Sequence, residues 1–292
     1  MHKVFIFTPT YNRVENLKKL YESLRKQTCK EFIWLIVDDG SNDSTEFYIR
    51  QLQSENIFDI VYLKKENGGK HTAYNLALDY MGGEGWHMVV DSDDWLASTA
   101  VECIIKDISS LQAGKLGVVY PRYGRDSSPQ WLSDNVKYVS IPDIKLKYGL
   151  SIETAIVIKN LFIGQLRLPS FEGEKFLSEE IFYIMLSEFG KFLPLNRRIY
   201  FFEYLEHGLT NNLFHLWKKN PKSTYLLFKE RKKYILQNLS GFNRIVELFK
   251  VSLNEQALSL ATSKNENIPQ ELSVGERMLK PLAYLFYLKR YK

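Results

Sequence analysis

Residues 86–94 read WHMVVDSDD. Trp86–Val90 is a short run rich in β-formers and bounded by polar residues, which reads as a buried strand. It ends abruptly in Asp91, Ser92, Asp93 and Asp94. Three carboxylates within four residues repel one another, and a fold tolerates them most readily when a cation sits among them. Hard oxygen ligands select Mg²⁺ or Mn²⁺, and Mg²⁺ is usually shared between one or two carboxylates and substrate phosphates. The plainer alternative is an acidic surface turn that caps the next helix.

Working outward, the same strand-then-polar-turn pattern recurs. Lys3–Thr8 (KVFIFT) leads into Pro9, Thr10, Tyr11 and Asn12; Phe32–Val37 (FIWLIV) ends in Asp38, Asp39, Gly40 and Ser41. Asn12 and Glu15 have capping-box spacing, and Val14, Leu17, Leu20, Tyr21 and Leu24 follow a helical period, so a helix is expected over about 13–27. Further helices are expected over 44–54, 72–80 and 99–111, with strands at Ile60–Leu63 and Gly117–Tyr120. Asn67-Gly68-Gly69-Lys70 is a turn whose amides and one cation, near a helix start, suit phosphates or ribose; taken alone it reads rather as an ordinary glycine-rich turn. Strands alternating with helices imply βαβ units and a mainly parallel sheet, with ligands outside the carboxyl ends of the strands. A carboxylate at 38–39 there could accept from a pyrimidine N3–H or a ribose hydroxyl, or simply cap the next helix.

Beyond about Arg122 the pattern weakens into a loop-rich stretch reaching Asn160. A helix is expected over 174–190, stopped by Gly190, with edge strands at Phe192–Leu195 and Arg198–Glu203. The division expected is 1–212 for the α/β domain and 213–292 for a helical extension. Charge separates the same way. The chain of 292 residues has net charge +5, but residues 213–292 carry 15 Lys and Arg against 6 Asp and Glu, a net +9, and the remainder is −4. A basic extension suggests an anionic partner. Its cations are interleaved with long aliphatic side chains and carry no nucleic-acid recognition motif, so no nucleic-acid partner is expected. Residues 276–292 (ERMLKPLAYLFYLKRYK) suit a segment lying on an anionic membrane or, alternatively, a helix packed on its neighbours. Two cysteines, no run long enough to span a bilayer and no signal-peptide pattern lead to the expectation of a cytoplasmic protein, peripheral on the inner face of a membrane at most.

The ordered set PTYNR, DDGS, NGGK and DSDD resembles the family 2 glycosyltransferases, which have the GT-A fold. The resemblance covers about residues 3–120, and Asn67, Gly69, Ala73 and Asn75 match the family's usual third motif. It implies an α/β fold of GT-A, Rossmann-like type, a mainly parallel sheet flanked by helices, followed here by the helical C-terminal extension. It also implies an inverting, metal-dependent transfer of a sugar from a nucleotide-sugar, UDP before TDP, to a hydroxyl of a glycan or lipid-linked acceptor in bacterial surface polysaccharide synthesis.

Position by position, the resemblance implies that Pro9, Thr10, Tyr11 and Asn12 line the nucleotide pocket. Asp39 would bind the uracil, with Asp38 shaping the turn, and Gly69 and Lys70 would approach the nucleotide or its phosphates. Asp91, Ser92 and Asp93 would lie against the donor, with Asp93 the foremost metal ligand, Asp91 its D-x-D companion and Asp94 an alternative; Mn²⁺ or Mg²⁺ is the implied cofactor. Glu179–Glu180 stand where many relatives carry an acidic pair that supplies the general base. Adjacent helical residues point about 100° apart, so only one serves, and the family's pattern aligns it with Glu180. His207, in YLEHGLT, would bind diphosphate or metal, or be a turn residue. Arg122, Arg125 and Arg167 are candidate phosphate or acceptor contacts without a position-specific argument. Competing readings are a sugar-nucleotide or polysaccharide binding module without turnover, and a nucleotidyltransferase, for which PTYNRVEN lacks the Gly- and Lys-rich triphosphate loop.

Overall fold

In a computed structural model of the protein, the structure describes residues 3–124, 128–160, 166–203, 212–262 and 279–292. The chain divides into two compact units, Met1–Pro169 with Met185–Tyr204, and Ser170–Ile184 with Leu205–Lys292. This division differs from a boundary at 212, because residues 170–184 group with the C-terminal helices.

The first unit is built on a seven-stranded sheet. In chain order its elements are β1 (Val4–Thr10), α1 (Val14–Arg25), β2 (Ile33–Asp38), α2 (Thr45–Glu55), β3 (Asp59–Lys64), α3 (Lys70–Met81), β4 (Trp86–Val89), β5 (Trp95–Leu96), α4 (Ala100–Ser109), β6 (Gly117–Pro121), β7 (Tyr123–Gly124), α5 (Ile141–Leu146), β8 (Thr154–Lys159), β9 (Phe192–Pro194) and β10 (Tyr200–Phe202). The strand order is β3-β2-β1-β4-β8-β6-β9. Strands β3, β2, β1 and β4 run parallel, with Thr10 opposite Asp38 and Asp38 opposite Lys64, so the polar turns that follow them share one sheet edge. A second sheet of order β5-β10-β7 carries Tyr200 and Trp95.

Both faces of β1 and β2 are buried, as expected of central parallel strands read as continuous apolar runs. Leu17, Leu20, Tyr21 and Leu24 of α1 pack with Ile6, Trp34 and Ile36 in the core cluster. The loop-rich reading of 122–160 missed β8, which lies inside the sheet, antiparallel to both β4 and β6. Its sequence, TAIVIK, has the short apolar form of a buried strand, but no adjoining helix marks it as part of a βαβ repeat.

Two local expectations fail for identifiable reasons. Asn12 does not cap α1: its backbone is left-handed at φ +51°, and its Oδ1 accepts the Asn42 N–H at 2.9 Å. Asp43 Oδ2 instead accepts the Val14 N–H at 3.3 Å. The helix expected over 174–190 is only α6, Glu179–Ser187. Residues ahead of it spend their polar groups elsewhere. The Glu174 carboxylate accepts the Lys222 and Ser223 N–H groups at 2.7 and 2.8 Å, and Asn220 Oδ1 accepts those of Lys175 and Phe176.

The second unit is helical: α7 (Leu213–Lys219), α8 (Pro221–Asn238), α9 (Gly241–Thr262) and α10 (Lys280–Arg290) join residues 170–184. Glu174 therefore supplies the cap that the exposed amides at the start of α8 require. Trp217 meets Phe228 edge-on at 5.2 Å, and the Arg290 guanidinium lies over Phe214 at 4.6 Å. Among the described residues, no helix is long and apolar enough to cross a membrane.

Candidate active site

The carboxyl ends of β1, β2 and β4 gather the sequence-predicted residues of the first unit. After β2, Asp38 is fully buried and has no role left to choose: Oδ1 accepts the Ser41 N–H at 2.7 Å and Oδ2 accepts the Tyr62 hydroxyl at 2.5 Å. It fixes the turn. Asp39 binds across to the loop after β3. Its Oδ1 accepts Lys65 Nζ at 2.6 Å and the Gly68 N–H at 3.0 Å, and its Oδ2 accepts the Gly69 N–H at 2.7 Å. Gly40, at φ +86°, is required here, since a Cβ would lie 2.9 Å from the Asn67 nitrogen. The β1 turn is tied to the same loop, because the Asn12 N–H donates to Ser41 Oγ at 2.8 Å. Pro9 and Thr10 close β1, Thr10 is buried, and Tyr11 is about half exposed beside them.

The third motif works through its ends. Gly69, at φ +95°, starts α3, and Lys70 is the first helical residue. Lys70 Nζ donates to Asp91 Oδ1 at 2.5 Å. Asn75 holds the backbone of Leu168, donating to its carbonyl at 2.8 Å and accepting its N–H at 3.0 Å.

The acidic turn is neutralised residue by residue. Asp91 lies between Lys70 and Arg122, whose Nη1 reaches Asp91 Oδ2 at 3.1 Å. Burial alone would raise its pKa, but these two cations overcome it and hold the carboxyl well below its usual range. Asp93 receives Arg13 Nη1 at 2.9 Å. Asp94 is buried and accepts the Tyr200 hydroxyl at 2.6 Å; Arg122 stands 3.5 Å away. Its burial and the neighbouring Asp91 charge push its pKa up to about 7, against the pull of Arg122. Arg122 is itself fixed by the Thr154 carbonyl at 3.0 Å and by the Tyr200 ring, 4.3 Å below the guanidinium. Ser92 is buried in the same turn.

The repulsion expected to require a metal is therefore relieved by Lys70, Arg122 and Arg13. Among the described residues, no three His, Cys, Asp or Glu side chains form a metal cage. The donor set still fits a cation shared with phosphate oxygens. Asp93 is about one-fifth exposed, and the partner on its carboxylate is the partly exposed Arg13, a cation already standing at the position.

Glu179 and Glu180 lie in the second unit. Glu180 is held on both oxygens by Arg231, with Nε on Oε1 at 2.5 Å and Nη2 on Oε2. Glu179 is exposed and accepts the Tyr183 hydroxyl at 3.0 Å. Arg167 pairs with Asp79 and reaches the Asn75 carbonyl, on α3. His207 and Arg125 lie outside the described residues. Tyr200, Lys65 and Arg231 were missed by sequence reasoning. Each acts across more than 25 residues of chain, so no local spacing points to it.

The sequence profile described as Glycosyl transferase family 2 matches residues 5–166, more than half of the chain. The protein belongs to glycosyltransferase family 2. Among its relatives, glycosyltransferase GlyA of Streptococcus pneumoniae is 35% identical over 111 residues, covering 38% of this chain and 16% of that protein. The chondroitin synthase of Pasteurella multocida is 26% identical over 264 residues, covering 87% of this chain. The chain spans about a quarter of that synthase's length and less of GlyA's. Staphylococcus aureus TarS 1–349, solved in complex with UDP-GlcNAc, superimposes with a TM-score of 0.62 over 99% of this chain and 82% of TarS, at 17% identity. The architecture is GT-A: a mostly parallel sheet flanked by helices, with a helical C-terminal region.

Proposed function

We propose that this glycosyltransferase moves a sugar, with inversion, from a UDP-sugar to a hydroxyl of a glycan or lipid-linked acceptor in surface polysaccharide synthesis. The observation that carries the reading is the strand-end cluster of Lys70, Arg122 and Arg13 on Asp91, Asp93 and Asp94, beside the Asp39 loop. Cations clustered there would offset the charge of a departing diphosphate, and the adjacent buried Asp39 carboxylate would suit an imide or ribose donor, which supports the reading. The UDP-GlcNAc bound in the TarS structure supports a nucleotide-sugar donor of this kind.

The Asp39 carboxylate binds the base, held in place by the Gly68 and Gly69 amides. Tyr11, half exposed just after β1, would offer a ring for stacking. Lys70 and Arg122 offset charge developing on the leaving diphosphate, an electrostatic contribution that grows as water is excluded. Asp93 would hold Mn²⁺ or Mg²⁺, with Asp91 and Asp94 as the other candidate carboxylates. When bound, the cation supplies Lewis-acid stabilisation of the diphosphate. Glu180 is the general base that takes the acceptor hydroxyl proton, and Arg231 fixes the direction of its carboxylate. Donor chemistry belongs to the first unit, and residues 213–292 form a basic helical extension. In that extension, α10 rests on an anionic membrane.

Glu180→Gln tests the assignment. UDP affinity should stay within about twofold, while transfer from UDP-sugars to acceptor should fall by about 100-fold or more, the ordinary contribution of a general base. If Glu179→Gln is the inactive variant and Glu180→Gln is not, the base has been placed on the wrong residue.

A further inference from the structure

Arg13 takes no part in the fold's core, yet the residues on both sides of it are held by hydrogen bonds from one turn. The preceding Asn12 is held at φ +51° by Ser41 and Asn42, and the following Val14 N–H is held by Asp43. A non-glycine residue in this region is a small reservoir of strain, retained where the surroundings over-determine it. The three contacts all come from the turn after β2. They set Arg13 at the first turn of α1, facing Asp93 from 80 residues away in sequence. The side chain is the free part: it is 38% exposed, and its one recorded partner is Asp93.

We infer that Arg13 is the resident counter-cation of Asp93, displaced by the incoming divalent cation and passed to the donor's diphosphate. The inference rests on the donor and metal reading above and adds a device to it. A carboxylate that accepts a guanidinium at 2.9 Å cannot offer the same lone pairs to a metal ion, so the two cations compete. The arginine cannot leave the site when it loses, because its backbone is pinned. Its planar fork would stay within reach of a diphosphate bound at Asp93, and guanidinium binds phosphate with paired hydrogen bonds. Metal alone meets a carboxylate whose charge and Oδ2 are already taken by Arg13, and weakening that pair leaves Arg13 without a new partner. Metal with nucleotide breaks it and supplies Arg13 with a new partner. The two ligands therefore bind with positive coupling, and without nucleotide Arg13 protects the turn from stray divalent ions.

The test is a titration of the full chain with Mn²⁺, followed by electron paramagnetic resonance of the free ion, without and with UDP. Wild-type protein should bind Mn²⁺ weakly alone and far more tightly with UDP. Arg13→Gln should bind Mn²⁺ alone about two- to fivefold more tightly, the range for a partly exposed ion pair. Its coupling between UDP and Mn²⁺ should fall by at least the same factor. Lys18→Gln, which removes an exposed charge paired with Glu15 on the same helix, should change neither value. Arg13→Lys, which keeps the charge without the fork, should leave Mn²⁺ binding near wild type while weakening the coupling. If Arg13→Gln and wild type bind Mn²⁺ alike, or Lys18→Gln shifts it equally, the inference is overturned and the metal reading stands. If wild type binds no Mn²⁺ even with UDP, both fall together.

Discussion

The Tyr200 hydroxyl is shared between two residues of the acidic turn: it donates to Asp94 Oδ2 at 2.6 Å and accepts the Asp91 N–H at 3.2 Å. A single phenol thus fixes both the backbone and a buried carboxylate of DSDD. Burial and the adjacent Asp91 and Asp94 charges raise the Tyr200 pKa well above its ordinary value, so it stays a donor. Tyr200→Phe keeps the ring under Arg122 but strands a buried acceptor. It should lower folding stability by about 1–3 kcal/mol in urea denaturation and weaken UDP binding in the presence of Mn²⁺. Unchanged stability would mean that Asp94 finds another donor.

The Lys70 side chain links the NGGK turn to the DSDD turn through its bond to Asp91. Lys70→Met keeps its length and removes its charge. UDP affinity should fall by about tenfold, corresponding to about 1.4 kcal/mol, in calorimetric titration. Lys70→Arg should recover part of it. Equal affinity in all three proteins would remove Lys70 from the phosphate-binding role.

Asp39→Asn keeps an acceptor for one of the two glycine amides but loses the ion pair with Lys65. Discrimination between UDP and ADP should shrink, read as the ratio of their dissociation constants. An unaltered ratio would place the base elsewhere.

His87, on β4, gives a pH signature independent of the active site. Its ring is buried, with Nδ1 against Asn160 Oδ1 at 2.7 Å and Nε2 against the Tyr74 hydroxyl at 2.5 Å. Asn160 Nδ2 donates to the Glu84 carbonyl, so its Oδ1 faces the histidine and the proton sits on Nδ1. Burial pushes the His87 pKa down to about 4, and the Asn160 bond only partly opposes this. The unfolded chain takes up that proton near pH 6.5, so it binds more protons than the folded chain between there and pH 4. Stability from this group is complete above about pH 6.5 and is lost as the pH falls toward 4, by about 3 kcal/mol in all. Denaturation at pH 7, 5.5 and 4.5 should show a steeper loss for wild type than for His87→Asn. Parallel profiles would contradict the assignment.

The outer face of α10 carries Tyr284, Leu285 and Leu288, respectively 51%, 60% and 36% exposed, beside Lys289 and Lys292. Ala283 and Tyr291 are buried, so the helix presents an apolar stripe although other residues are packed. Replacing Leu285 and Leu288 by Glu should reduce sedimentation with anionic vesicles without changing the melting temperature. Equal sedimentation would leave the stripe without a membrane role.

What could be read in the sequence follows from how far each cause acts. The βαβ repeats over residues 3–120 were evident because strand period, helix period and turn chemistry agree within each 30-residue segment. The acidic turn was evident because its carboxylates are adjacent. Tyr200 and Arg231 were not, since each meets its carboxylate across 106 and 51 residues. β8 was passed over because it enters the sheet antiparallel, outside the repeat. The early start given to α6 came from reading Glu174, Lys175 and Phe176 by helical period, whereas Asn220 and the first amides of α8 claim their polar groups.

The account turns on the strand-end cluster being a nucleoside diphosphate site completed by a divalent cation. Calorimetric titration with UDP, TDP, GDP and ADP, each with Mn²⁺ and with EDTA, tests it directly. UDP should bind with Mn²⁺, lose most of its affinity in EDTA, and exceed GDP and ADP. Binding of none of the four, with or without metal, would contradict the account and leave Lys70, Arg122 and Arg13 as mere neutralisers of an acidic turn.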